Sequence, residues 1–340
     1  MSSSRVLVTG AAGFIGSHVA EACVGLGFAT VGLDDLSGGF RRNVPAGCRF
    51  FEGDVRDPRV VAELWRSHGP FDHVYHLAAY AAEGLSPHIR RYNYDTNLLG
   101  SVNLINASLN HGVQHFVFAS SIAVYGAGQV PLREDTVPRP EDPYGISKYA
   151  VELDLEAARR VFGLSYTIFR PHNVYGERQH HGDRYRNVVG IYINQCLNGE
   201  PMTVFGDGAQ TRAFSYIGDV APVIARAPLV AGARDQVFNL GADTPVRVID
   251  LARQVAQHLG VEPRWKHLPA RPEVVHAFAD HTRVREVFGT PPATPLAEGL
   301  RRTVAWVRHL GPIPPTAFEA IEVPARMPEV WRRPSSGESR

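Results

Sequence analysis

A chain of 340 residues with 44% hydrophobic content can bury a substantial core, either as one large α/β domain or as a domain with an appended lobe. Its 35 basic and 34 acidic residues nearly cancel, which argues against a nucleic-acid or anionic-membrane partner. Cys23, Cys48 and Cys196 are far apart and form no paired spacing; this argues against a disulfide framework or a cysteine metal site and, with no signal-like or bilayer-length apolar run, makes the cytoplasm the expected location.

In chain order, "RVLVTG" near residue 5 predicts the first strand. It runs into "TGAAGFIGSH", which sets Gly10, Gly13 and Gly16 at three-residue intervals where the strand hands over to a helix opened by Phe14 and Ile15. Such glycines permit a tight turn and close backbone approach to a pyrophosphate seated at the positive helix N-terminus. "ATVGLD" predicts the second strand, ending at Asp34 about twenty residues beyond the turn. A carboxylate there accepts hydrogen bonds from the adenosine ribose and repels a 2′-phosphate, so NAD is expected over NADP. Asp35, Leu36 and Gly38 continue this cofactor-side loop. "CRFFEGD" predicts the third strand, leading to Asp54 and Val55; Asp54 can reach the adenine amino group, although an ordinary turn aspartate explains it almost as well.

"HVYHLAA" near 73 predicts the fourth strand and "QHFVFASS" near 114 the fifth, which delivers Ser120 and Ser121 to its carboxyl end, where ligands bind in parallel sheets. "EDPYGISKYAVE" at 141–152 starts a helix, with Asp142 as cap and Pro143 at the first helical position. Tyr144 and Lys148 then fall one turn apart on one face, with small Gly145 and Ser147 between them. A free tyrosine titrates near ~10, but an ammonium and a positive nicotinamide ring favour the phenolate. Tyr144 is therefore the expected proton carrier, Ser121 the hydroxyl on the same oxygen, and Lys148 a partner also able to bond the nicotinamide ribose. "SYTIFRP" near 165 predicts a sixth strand.

Strands alternating with helices imply an α/β, Rossmann-like, doubly wound parallel sheet over residues 1–172, with later segments free to return to it. From about 175 glycine and proline become frequent, and residues 173–325 are expected to form mainly a smaller C-terminal lobe that includes a helix at 248–260. Residues 326–340 are expected to be a frayed polar tail.

The motifs "TGAAGFIG", "HLAA" at 76–79, "SSIAVYG", "YGISK", "RPHNVYGERQ" at 170–179 and "TVFGDGAQTRAFSYIGDV" at 203–220 form a specific set. With them the chain resembles the extended short-chain dehydrogenases/reductases from about residue 5 to 310, and most of all the nucleotide-sugar 4-epimerases of the UDP-galactose 4-epimerase type. The resemblance implies bound NAD, a UDP-sugar substrate between the lobes and a homodimer. On the cofactor side it implies that Leu77, Ala78, Ala79 and Ala81 line the NAD, that Asn97 braces the loop beneath it and that Pro171 lies near the nicotinamide. On the substrate side it implies contacts from Ser121, Ala123 and Tyr144, with Asn173 and Arg212 at the diphosphate and Asn187 and Val188 opening the helix over the nucleotide. Thr203 and Phe205 match the uracil-side strand, and Arg271 with Glu273 the pair serving phosphate and ribose.

The related dehydratases carry an Asp-Glu pair where this chain has Ile122 and Ala123, neither of which can carry a proton, and the glutamate of the decarboxylases is missing at Ala123 too. The implied reaction is 4-epimerisation through a transient 4-keto sugar. His180 and His181 lack the further ligands a metal needs, so no metal is expected. His180 also stands where the glucuronate epimerases carry an arginine, and Asn173 where they tend to carry threonine. UDP-glucose and UDP-galactose are thus favoured, unless Arg184 or Arg186 supplies the charge. The small Ala277 leaves room for an N-acetyl group at C2. The alternatives are a UDP-glucuronate or UDP-N-acetylglucosamine 4-epimerase, a nucleotide-sugar 4-ketoreductase, whose usual NADPH conflicts with Asp34, and a nucleotide-sensing regulator, which has no need of Ser121, Tyr144 and Lys148 together.

Overall fold

A computed structural model describes residues 4–128, 130–270, 274–290, 293–316 and 318–331. Its centre is a sheet of seven parallel strands: β1 (Arg5–Thr9), β2 (Ala29–Asp34), β3 (Arg49–Glu52), β4 (His73–His76), β5 (His115–Ala119), β6 (Ser165–Pro171) and β7 (Gln236–Leu240). Their spatial order is β7-β6-β5-β4-β1-β2-β3. Strands β4 and β5 are buried at every position, as strands covered on both faces must be. Alternation along β1 divides the core: Val6 and Val8 join one apolar cluster while Leu7 joins the other. The helices Phe14–Gly25 and Ile217–Arg226 pack together over the first face. Pro58–His68, Gly100–Asn110 and Pro143–Phe162 cover the second. This is the doubly wound, Rossmann-like arrangement.

The strand order reverses between β1 and β4, which opens a crevice at the carboxyl ends of the strands. Beyond Pro171 the chain leaves the sheet to build a lobe, returns for Ile217–Arg226 and β7, and leaves again. In the lobe the helices Val188–Leu197 and Val248–Leu259 pack together, Met202–Phe205 pairs with Trp265–Leu268, and Thr211–Ala213 pairs with Pro245–Arg247 and His276–Ala277. The lobe is therefore discontinuous in sequence. Residues 326–331, read from the sequence as the start of a frayed tail, are packed: Met327 and Trp331 are buried. Their apolar side chains find partners in a cluster with Leu85, Ile89 and Tyr185.

Candidate active site

The glycine turn closes against the end of β4. Gly10 has φ +72°, and a Cβ there would stand 2.9 Å from the Ala78 nitrogen. A Cβ on Gly16 would overlap the Gly10 carbonyl oxygen, so the helix start and the strand end meet backbone to backbone. Gly13 caps the Phe14–Gly25 helix with no side-chain acceptor, and its first turn holds no acidic residue. The amides of that turn are thus left for an anion, and the cradle fits a pyrophosphate.

Asp34 ends β2 beside this turn. Its carboxylate accepts the Ala12 amide at 3.0 Å and the Leu36 amide at 2.8 Å. Burial raises its pKa, and those two amides oppose the rise. Leu36 takes φ +62°, and Asp35 turns back to accept the Ser37 amide at 2.9 Å. Gly38 faces Arg186, whose guanidinium would lie 3.4 Å from a Cβ there. Asp54 lines the cleft with Val55, but its carboxylate is paired with Arg56 at 2.6 Å. Partial burial pushes Asp54 up, and the Arg56 hydrogen bonds outweigh this and hold it below the usual range.

After β4 the backbone is set by a chain of buried polar groups that sequence reasoning missed. Thr9 Oγ1 accepts the Leu77 and Ala78 amides, each at 3.1 Å, so its proton goes to His76 Nδ1 at 2.8 Å. That leaves His76 Nε2–H to donate to Ser101 Oγ at 2.8 Å, and Ser101 donates to the Asn97 carbonyl at 2.7 Å. Burial, aided by the Lys148 charge, pushes His76 down to about 3 and keeps it neutral. Asn97 clamps Tyr80, accepting its amide at 2.8 Å and donating to its carbonyl at 3.1 Å. Ala78, Ala79 and Ala81, with Phe14, Ile15 and Leu77, present small or apolar surface to the cleft.

The Pro143–Phe162 helix starts as its sequence requires: Asp142 accepts the Gly145 amide at 3.0 Å, and Gly163 closes it at φ +81°. Tyr144 and Lys148 are both buried and face the end of β5. Lys148 Nζ donates to the Ala119 carbonyl at 2.8 Å and lies 5.9 Å from the centre of the Tyr144 ring. Ser121 accepts the Ala123 amide at 3.1 Å, and its hydroxyl is the neighbour that favours the ionised form of Tyr144. In the protein alone, with no nicotinamide charge beside it, the Tyr144 pKa lies above its ordinary value. Burial raises Tyr144, the carboxylates of Glu83 and Asp142 add to this, and the Ser121 hydroxyl only partly opposes it. Burial also pushes Lys148 down to about 7, against the Glu152 charge.

Behind these groups lies a buried ion pair. Glu152, one turn past Lys148 on the same helix, binds Arg170 of β6 at 3.0 and 2.5 Å and accepts the Ser120 hydroxyl. Its position four residues after Lys148 was the available signal; its partner was hidden in another strand.

On the lobe side, Pro171 and Val188 line the same cleft of about 1650 Å³, as do Ala123 and Ala277. Asn173 has φ +42° and donates to the Ala213 carbonyl at 3.2 Å, while Asn187, at φ +60°, caps the Val188–Leu197 helix. Thr203 exchanges hydrogen bonds with Gln195 at 3.1 Å, and Phe205 lies edge-on to Trp331 at 6.3 Å. The Arg212 guanidinium donates to the carbonyls of Thr211, Val274 and Val275 at 2.9, 2.6 and 3.0 Å. Arg271 and Glu273 lie outside the described residues.

His180 packs against Phe40 with ring centres 4.8 Å apart and planes tilted by 36°, and His181 Nε2 lies 2.9 Å from the Gly311 carbonyl. Among the described residues no three His, Cys, Asp or Glu side chains gather as metal ligands, and no helix is long and apolar enough to cross a membrane. The arginines weighed as partners for a sugar carboxylate both line the cleft, and each has a partner in the protein. Arg186 pairs with Asp183 at 2.6 Å over the Tyr80 ring, and Arg184 donates to the Val330 carbonyl at 3.0 Å.

Residues 6–241 match the model of the NAD dependent epimerase/dehydratase family. The chain belongs to that family. The UDP-glucose 4-epimerase of Mycolicibacterium smegmatis is 35% identical over 315 residues, spanning 90% of this chain and 99% of that protein. The crystal structure of Thermus thermophilus UDP-glucose 4-epimerase in complex with NAD is similar at a TM-score of 0.83 and 35% identity, over 89% of this chain and 99% of that one. Thermotoga maritima UDP-glucose 4-epimerase, solved with UDP-glucose, has a TM-score of 0.84 and 33% identity over 90% and 99% of the two chains. As a member of this NAD-dependent epimerase family the protein is an enzyme, and its glycine turn and Asp34 fit the NAD that the family uses.

Proposed function

We propose that the protein is a UDP-hexose 4-epimerase, acting on UDP-glucose and UDP-galactose as a homodimer. The observation that carries this reading is that Ser121, Tyr144 and Lys148 open into the same cleft as the glycine turn on one side and Asn173, Phe205 and Arg212 on the other. Bound NAD supplies a hydride acceptor and, on the return step, a donor. The chain's own residues handle the proton and the orientation. Tyr144 carries the proton of the sugar 4-hydroxyl, and Ser121 hydrogen-bonds the same oxygen. Lys148, fixed by the Ala119 carbonyl, sets its charge beside them. Tyr144 and Lys148 are buried, which strengthens each of these interactions. The 4-keto sugar then turns over within the cleft and is reduced on its other face.

A neutral hexose is supported by the pairing of Arg186 with Asp183 and by His180 standing where the glucuronate epimerases that this chain resembles carry an arginine. Ile122 and Ala123, which cannot transfer protons, argue against dehydration. A second reading, UDP-N-acetylglucosamine, rests on Ala277, whose small side chain lines the cleft; similar solved structures include 4-epimerases of UDP-N-acetylglucosamine and of UDP-glucuronic acid. The test is to incubate the purified protein with each of the three UDP-sugars, with no added cofactor, and to separate the products. Interconversion of UDP-glucose and UDP-galactose at the highest kcat/KM supports the proposal. A clear preference for the uronate, or a requirement for stoichiometric NADPH, refutes it.

A further inference from the structure

After the Leu296–Leu310 helix the chain crosses the mouth of the cleft as a strap. It is first tied to the lobe, where the Ile313 amide donates to Asn194 at 3.1 Å and the Thr316 amide to the Gly182 carbonyl at 2.9 Å. It then reaches the sheet domain. Phe318 packs on Tyr80 and Tyr92 at 5.2 and 4.9 Å, and the Glu322 carboxylate accepts the amides of Arg91 and Tyr92 at 2.7 and 2.9 Å. The His88 carbonyl accepts the Glu322 and Val323 amides at 2.9 and 3.1 Å. This anchor adjoins the catalytic helix, since Ser86 of the same segment accepts the Tyr144 amide at 3.2 Å. Finally the strap returns to the lobe, where Trp331 packs on Tyr185 at 5.5 Å and on Phe205 at 6.3 Å.

Arg326 stands between the two last anchors and lines the cleft. It is exposed, with φ +58° in the turn that the Met327 amide closes on the Pro324 carbonyl at 3.3 Å, and its side chain makes no hydrogen bond or ion pair among the described residues. On the UDP-sugar reading, with the hexose at Tyr144 and the base at Phe205, the diphosphate would lie between those two residues in the cleft that Arg326 also lines. A guanidinium fork matches phosphate oxygens in geometry and charge.

We propose that the strap is a wall of the nucleotide-sugar site, with Arg326 the cation that meets the diphosphate and Trp331 the surface that backs Phe205 at the base. This rests on the UDP-sugar reading above. The test titrates the full-length, NAD-loaded protein with UDP and with uridine. Arg326→Ala weakens UDP about tenfold, as for one lost charge-assisted contact, and leaves uridine binding, bound NAD and the melting temperature unchanged. Arg326→Lys keeps part of the affinity. Trp331→Ala weakens UDP and uridine alike; if that variant does not fold, Glu322→Gln, which loosens the sheet-side anchor, takes its place and weakens UDP. Equal UDP affinity in the wild type and in Arg326→Ala overturns the assignment, as does a loss of equal size for uridine or one confined to NAD. Failure of the wild type to bind UDP at all overturns the UDP-sugar reading together with it.

Discussion

Replacing Glu152 by glutamine keeps the side chain's shape and removes its charge. In the native protein the Glu152 and Arg170 side chains are only 2% and 5% exposed, and the two are joined through both carboxylate oxygens. The variant strands the Arg170 guanidinium in a site where Tyr125, at 4.7 Å, is an aromatic face and not a counter-ion. Breaking a buried pair by removing one partner costs about 3–5 kcal/mol. At about 2 °C per kcal/mol for a chain of this size, the melting temperature should fall by roughly 6–10 °C. Catalysis should suffer separately. Glu152 raises the Lys148 pKa, which burial already holds at about 7, so its loss lowers the ammonium fraction at neutral pH by about fivefold for the first unit of further shift. The decisive assay pairs thermal unfolding with the pH dependence of kcat for Glu152→Gln and for the double variant Glu152→Gln/Arg170→Met. The double variant should recover most of the stability, because no charge is left unpaired, while kcat at neutral pH stays low. A single variant that melts within about 2 °C of the wild type, or a double variant no more stable than the single, would refute this account.

Tyr144→Phe should keep fold and NAD content and lose most turnover, and near-normal product formation in a timed conversion assay counts against the proton-carrier role. Asp34→Ser should weaken NAD by about tenfold and relieve the repulsion of NADP; a binding titration with both cofactors checks it. Gly16→Ala forces a Cβ into the Gly10 carbonyl and should abolish retention of NAD through purification, read from the absorbance of released cofactor. For Lys148 the folded pKa, about 7, lies below the ordinary lysine value of 10.5. The native state therefore binds fewer protons than the unfolded state between these limits, and in the cofactor-free protein this group's cost to stability is full below about 7 and relieved as pH rises toward 10.5. Melting curves of Lys148→Met against the wild type should diverge most at the acid end.

The sheet and the cofactor turn were legible because both are local. Runs such as "RVLVT" and "HFVFA" are apolar at successive positions, and the glycine spacing marks a turn where, at Gly10, a side chain would meet the Ala78 backbone. The pairing of Tyr144 with Lys148 was legible for the same reason, since one helical turn fixes which residues share a face. What tertiary structure alone decided involves groups distant in the chain. The charge state of Tyr144 depends on burial, and no spacing states how much water a phenol will lose. Arg170 reaches Glu152 only because the Pro143–Phe162 helix packs on β6, a contact that no spacing within either element states. The strap is the clearest case: "FEAIEVPARMPEVW" has no helical or strand period to announce it, and its place over the cleft comes from a carboxylate meeting two amides of a helix some 230 positions earlier.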